Sequence, residues 1–227
     1  MSGSRRSYSS ALRTAQAERT RKRIVKSAAE LFDERGYAGT QLRAVAERAG
    51  VSVQSVQLNG PKAALLLAAL ELVVTGDEGD GSIFDSPRFT ALGARLDSPS
   101  ELLEAVAALS TAANRNGRGL WRALEGAAAE DPAVKQVHQA LVGRQRADCR
   151  RGIDRIAAAG ALRADRTPTE AADLLYALVL PDLYDRLVTQ AGWSLERYRQ
   201  WLADVLAEQI LAPKDREAAT APPCSEA

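Results

Sequence analysis

The residues able to do covalent chemistry are few and poorly spaced for it. The chain holds one histidine, His138, and two cysteines, Cys149 and Cys224. Metal sites built on several histidines are excluded, and a Ser-His-Asp arrangement would have to use that one imidazole. The cysteines form no metal or redox spacing. A reducing cytoplasm is therefore the expected compartment, with Cys149 a small buried apolar residue rather than a redox sensor. There is no phosphate-binding glycine loop, no nucleophile motif and no evident paired-carboxylate site. No enzyme, cofactor or metal is expected. The chemistry on offer is cationic recognition. Arg19, Arg21, Lys22, Arg23 and Lys26 crowd one segment, with Arg5, Arg6 and Arg13 upstream. Residues 1–62 hold 12 Lys/Arg against 5 Asp/Glu, a net charge of +7, while residues 63–227 hold 18 against 24, a net of −6. A basic end beside an acidic remainder fits a polyanion partner for one end only, although a solvated helix face with a loose tail would carry the same charges.

The elements that must position these cations read as helices throughout. The 227 residues, 46% apolar and 26% charged, suit one ordinary domain or two small ones with a real core. No apolar run reaches the length of a membrane span, and the basic, serine-rich N-terminus lacks the apolar stretch of a secretory signal. Residues 1–17 read as a disordered basic arm. From Glu18 onward, Ile24, Ala28, Leu31 and Phe32 recur on one face of an amphipathic helix. Gly36 stops that helix, and Thr40 is the expected N-cap of a second, 40–49. Gly50 ends it, and Ser52 caps a third, 52–58. Pro61 opens a fourth, 61–75, which is almost wholly apolar and so predicted to join two cores. Residues 76–98 read as a loop with a short helical turn at 88–94. Helices are then predicted over 99–114, 119–130, 132–159, 168–190 and 195–211, with Thr167 and Glu170 at capping-box spacing and Ser194 as the last cap. Residues 213–227 read as a disordered tail. No strand alternation appears, and the predicted fold class is all-α.

Two of these helices carry a motif. The short segments 40–49 and 52–58, on either side of a one-glycine turn, form a helix-turn-helix. The second is short enough for its N-terminal half to enter a DNA major groove while the first braces it against the backbone. Gly50 stands where the chain must turn without a Cβ clash. Helical hairpins of this kind also occur in proteins that never meet DNA.

A wider set of residues is more specific. Arg21-Lys22-Arg23-Ile24, Ala28-Ala29-Glu30-Leu31-Phe32, Arg35-Gly36-Tyr37, Thr40, Val45-Ala46, Ala49-Gly50-Val51-Ser52 and Lys62-Ala63-Ala64-Leu65-Leu66 closely resemble the TetR family of bacterial transcriptional regulators. The resemblance covers roughly residues 19–72. It implies a three-helix DNA-binding head over 18–62, a helical ligand-binding and dimerisation body over 76–212, and a homodimer. It also implies a DNA operator as partner, a small-molecule effector that alters operator binding, and most often repression. Carried over position by position, it makes Val53, Gln54 and Ser55 base-edge readers, with Ser52 in the same DNA-facing set and Arg43 able to reach a guanine. Thr40, Gln41, Gln57 and Lys62 become phosphate contacts, and Arg19, Arg21 and Lys22 add phosphate or minor-groove contacts. The chain departs from the family at Gln57, where a tyrosine is usual, and lacks the second aromatic that follows it. The run Gln57-Leu58-Asn59-Gly60-Pro61-Lys62 is also one residue short. The alternative is therefore a helical ligand-binding or scaffold protein with a degenerate head that no longer binds DNA.

In the body, Leu195, Tyr198, Leu202 and Val205, together with the stripe Ala172, Leu175, Tyr176, Val179, Leu183 and Leu187, mark the last two long helices as the dimer face. A two-fold dimer reads two half-sites, which one short helix cannot. Pro181 is expected to kink the first of these helices. Trp121, His138 and Tyr176 are candidate liners of an apolar ligand pocket, although His138 fits a satisfied core histidine as well.

Overall fold

The computed structural model describes residues 4–76, 78, 82–92, 98–213 and 215, without the side chains of residues 4–12. Cys224 and almost all of the expected tail lie outside the described residues, as do residues 93–97 of the expected loop. Among the described residues ten α-helices follow one another: α1 Ser4–Gly39, α2 Leu42–Ala49, α3 Val53–Leu58, α4 Lys62–Thr75, α5 Pro87–Ala91, α6 Pro99–Ala128, α7 Pro132–Ala158, α8 Pro168–Val179, α9 Pro181–Tyr184 and α10 Leu195–Ile210. A 3-10 turn (Ile83–Asp85) and a π-helical turn (Asp185–Gln190) complete them. Among the described residues the sole β feature is an isolated antiparallel bridge between Leu162 and Leu211. The fold is all-α.

The first helix begins at Ser4, not at Glu18, and so includes most of the stretch expected as an arm. Residues 13–19 are exposed on it. That stretch, Arg13 to Arg19, is rich in good helix formers such as Ala15, Gln16, Ala17 and Glu18, so local propensity extends the helix. Gly36 breaks α1 at φ 68°, ψ 179°, a left-handed φ that favours glycine. Pro181 does more than bend its helix. Leu180 adopts an extended conformation (φ −64°, ψ 153°), α8 stops at Val179 and α9 restarts at the proline. The pyrrolidine ring disfavours helical backbone in the residue before it, which accounts for the break. Asn114 of α6, 3% exposed, donates its amide to the Val179 carbonyl at 3.1 Å, satisfying one acceptor the interruption leaves over.

The chain forms two compact units interleaved in sequence. One comprises residues up to Leu72 with Gly119–His138; the other comprises Val73–Arg118 with the residues from Gln139 onward. The sequence places head and body in consecutive segments, whereas in the structure residues 119–138 cluster with those of the head. In the first unit the buried apolar residues include Ile24, Val25, Ala28, Leu31 and Phe32 of α1, Val45, Ala46 and Ala49 of α2, Val56 of α3, and six residues of α4. Leu120, Trp121, Ala123, Leu124 and Val134 are buried as well. The second unit has its own core, in which Phe84, Phe89, Leu102, Leu103, Ile153, Ile156, Leu175, Tyr198, Leu202 and Leu206 are buried.

The helix α6 is continuous over 30 residues, where two helices were expected. Gly117 and Gly119 lie inside it without ending it, because a helical glycine costs only about 1 kcal/mol and packing can offset that. Gly119 has such a packing reason. A Cβ there would lie 3.1 Å from the Asp33 Cα and run into the Asp33 carboxylate, so α1 and α6 approach closely and Asp33 would have to shift to admit a side chain. Gly119→Val should destabilise the first unit by about 1–3 kcal/mol in urea denaturation. Gly143→Ala on α7, where a Cβ meets nothing within 4 Å, should stabilise the fold by up to about 1 kcal/mol.

Candidate nucleic-acid interface

The helix-turn-helix is built by two backbone devices. Gly50 caps α2 in the left-handed region (φ 64°, ψ 44°), its N–H reaching the Glu47 carbonyl, while the Val51 N–H reaches Ala46 at 3.0 Å. Ser52 then caps α3: its Oγ accepts the Ser55 N–H at 3.1 Å and meets the Ser55 Oγ at 2.9 Å. Val56, fully buried, turns the inner side of α3 into the core. Asn59 closes the far end by donating its amide to the Ser55 carbonyl at 2.7 Å. Arg48 donates two hydrogen bonds to Glu34, at 2.6 and 2.8 Å, which tie α2 to α1. The Arg48 bonds hold the Glu34 carboxyl below its usual range.

The side of α3 turned away from the core is open. Val53, Gln54, Gln57 and Leu58 are exposed, Val53 at 38% and Leu58 at 82%. Arg43 and Gln41 are exposed on the α2 side, with Arg43 paired to Glu47 at 3.0 Å. Ser55 is half-buried and held by Ser52. Two guanidiniums bracket the helix: Arg21 donates to the Asn59 carbonyl at 3.1 Å, beyond its C-terminus, and Arg23 to the Gly50 carbonyl at 3.4 Å, before its N-terminus. Arg19, Lys22 and Lys26 are exposed on the same helix α1.

Two expectations change, both at Thr40. Thr40 neither caps α2 nor offers its side chain to a phosphate. It is fully buried, and its hydroxyl donates toward the Gly36 and Leu31 carbonyls at 2.8 and 3.0 Å, so it locks the break after α1. The N-cap of α2 is Gln41, in an extended conformation and without a side-chain cap bond. Lys62 is only half-buried, but its ammonium lies 4.1 Å over the Tyr37 ring. Burial lowers its pKa, against the opposing pull of Asp131. The Tyr37 hydroxyl donates to Asp131 at 3.1 Å, and burial with that carboxylate beside it pushes the phenol up to about 12. Asp131 also caps α7 by accepting the Ala133 N–H at 2.9 Å, and this bond leads the causes that hold its own pKa down. Tyr37 and Asp131 escaped the sequence reading as a pair, since 94 residues separate them. Leu58 escaped it because an apolar residue at a helix end reads as core.

The candidate ligand residues are divided. Trp121 and His138 belong to the first unit and Tyr176 to the second. Trp121 is 5% exposed, and its indole N–H is buried without a hydrogen-bond partner. His138 is half-buried, and the Tyr176 ring lies 4.8 Å from the Arg146 guanidinium. Of the expected dimer face, Tyr198 and Leu202 are fully buried in the core of their own unit, because α10 packs on α8. Leu195 and Val205 remain half-exposed. Cys149 is buried, and burial pushes its thiol up to about 12, in keeping with a small apolar residue.

Residues 24–57 match the family model described as bacterial regulatory proteins, tetR family. No curated protein matches the chain. Solved structures share its fold at low identity. A protein described as a TetR-family transcriptional regulator from a Rhodococcus species aligns with a TM-score of 0.69 at 22% identity, covering 85% of this chain and 98% of that one. A protein described as a transcriptional regulator from Saccharomonospora viridis, in complex with choline, aligns at 0.65 and 22%, covering 86% and 99%. NalD, the secondary repressor of the MexAB-OprM multidrug efflux pump in Pseudomonas aeruginosa, aligns at 0.63 and 20%, covering 87% and 98%. The matched segment lies on α1, α2 and α3, and the all-helical fold is shared with these structures along most of the chain.

Proposed function

We propose that this protein is a sequence-specific repressor that binds its operator as a homodimer and releases it when a small molecule enters the helical body. The observation that carries the proposal is the presentation of α3. Its outer face is exposed, its inner face is anchored by Val56, and cationic Arg21 and Arg23 stand at its two ends. An uncharged reading face between guanidiniums suits a major groove walled by phosphates. Gln54 and Val53 read base edges, with Ser55 and Ser52 holding the start of the helix and Arg43 reaching a flanking guanine. Gln41, Gln57 and Lys62 meet phosphates. The protein works in the cytoplasm without catalysing a reaction.

The half-exposed residues of α8 and α10 are the dimer face in this reading, and the pair presents two heads to two half-sites. Trp121 and His138, which belong to one unit, line the effector site. The unpartnered indole N–H of Trp121 supports this, since a buried donor without an acceptor costs free energy that a polar ligand atom would recover. The effector acts by binding one head separation more tightly than the other, and α4, which gives residues to both units, is the lever.

Titration of duplexes from beside its own gene tests the proposal by mobility shift. Salt-sensitive, sequence-selective retention is expected. Absence of retention at low salt would instead make the chain a helical ligand-binding or scaffold protein. Gln54→Ala should cost about 1–3 kcal/mol of specific affinity and relax one base position. Unchanged discrimination by that variant would remove Gln54 from the readers.

A further inference from the structure

The exposed face of α3 has a chemistry of its own. At about 100° per residue, Val53, Gln57, Gln54 and Leu58 fall in that order within an arc of about 140°. All four are exposed, while Val56 on the opposite side is fully buried. The arc thus carries two primary amides, Gln54 as the base reader and Gln57 as the phosphate contact, with two branched alkyl groups and no charge. Single exposed leucines are common on protein surfaces and need no explanation. These are not scattered. Of three large hydrophobic residues exposed among the described residues, Val53, Leu58 and Leu92, two lie on this six-residue helix.

Base edges in the major groove differ in what they ask of a side chain. Guanine shows two acceptors and is best met by Arg or Lys, and the cytosine amine is met by Asp or Glu. Adenine shows an acceptor beside a donor, which a glutamine amide matches with both its atoms. Thymine shows a methyl group, which an alkyl side chain matches. The arc lacks everything that suits G·C and holds what suits A·T. We infer that α3 reads an A·T core in each half-site, and that Leu58 is a specificity-determining residue whose side chain packs on a thymine methyl. The occupant is B-form DNA because the guanidiniums of Arg21 and Arg23 stand at the two ends of α3, where they can meet phosphates at the groove edges. Guanine, where present, falls at the flank, within reach of Arg43 rather than α3.

This inference rests on the DNA-binding reading above, and the experiment separates the two. Duplexes selected from random sequence by the full-length protein should carry A·T pairs at the centre of each half-site. Replacing the contacted thymine by deoxyuridine, which lacks only the methyl, should weaken binding about fourfold per half-site by fluorescence anisotropy. Leu58→Ala should bind more weakly and lose its sensitivity to deoxyuridine, whereas Leu58→Met should keep most of it. Because Leu58 is exposed, both variants should fold, with unchanged circular dichroism. A selected G·C core, a wild-type protein indifferent to deoxyuridine, or an alanine variant as sensitive as wild type would overturn the inference and leave sequence-selective binding standing. A chain that selects no sequence overturns both.

Discussion

Phe32→Ala should destabilise the first unit by about 3–5 kcal/mol, and operator binding should fall with it. Phe32 is fully buried and among the largest side chains so placed. Truncation removes the transfer free energy of a whole ring and leaves a cavity in a region bounded by close helix contacts, as at Gly119. Against a total stability of about 5–15 kcal/mol, that loss leaves little. The ring has a second task. It stacks on Tyr37 with centroids 5.9 Å apart and 19° between planes, and Tyr37 in turn lies under Lys62 and donates to Asp131. The variant should therefore disturb the start of α4 and the start of α7 together. Urea denaturation followed by tryptophan fluorescence measures the loss, since Trp121 is buried in this unit. A double-mutant cycle with Tyr37→Leu should give a ring–ring coupling of about 0.5–1.5 kcal/mol. Tyr37→Phe, which keeps the stack and deletes one hydrogen bond, should cost only about 1 kcal/mol. A Phe32→Ala loss below about 1.5 kcal/mol would mean that the core closes over the gap.

What could be read in the sequence was whatever depends on neighbours along the chain. The helix-turn-helix was legible because Gly50, Ser52 and Val56 act within a few residues of one another, through a left-handed cap, a hydroxyl cap and a buried anchor. The capping box of Thr167 and Glu170 was legible for the same reason. Features set by distant partners were not. Thr40 looked like a cap, but its hydroxyl is taken by the Leu31 and Gly36 carbonyls, and only the folded path of α1 brings those within reach. Gly117 and Gly119 looked like a helix boundary, but close packing on Asp33 calls for glycine inside a continuous helix. Tyr198 and Leu202 have the spacing of an interface seam, but α8 already covers them. A periodic apolar stripe gives the buried face of a helix without saying whether the chain or a partner buries it. The candidate site divides along the same line. Gln54 and Val53 are exposed as a reading helix requires, whereas nothing local pointed to Asp131 beside Lys62.

Neutralising both bracketing guanidiniums, as Arg21→Gln with Arg23→Gln, should weaken operator binding by about three orders of magnitude at 0.1 M salt. Each phosphate neutralised by a cationic side chain releases about 0.9 counterion, and that release is more favourable in dilute salt. If each guanidinium meets one phosphate in both copies of a dimer, about four contacts are lost. The slope of log affinity against log salt should then become shallower by about 3.6, and the gap from wild type should close toward 1 M salt. Both side chains also have bonds inside the head, to the Asn59 and Gly50 carbonyls, so loss of affinity alone would not separate a phosphate contact from a positioning role for α3. The salt dependence does separate them. A helix merely misplaced loses affinity by the same factor at every salt concentration, whereas lost phosphate contacts give a deficit that grows as salt falls. Affinity for unrelated duplexes should drop with the operator's, because phosphates carry no sequence, and Gln54→Ala should leave that nonspecific affinity almost untouched. A double variant with an unchanged slope would remove Arg21 and Arg23 from the interface and leave their bonds at the two ends of α3 as their whole role.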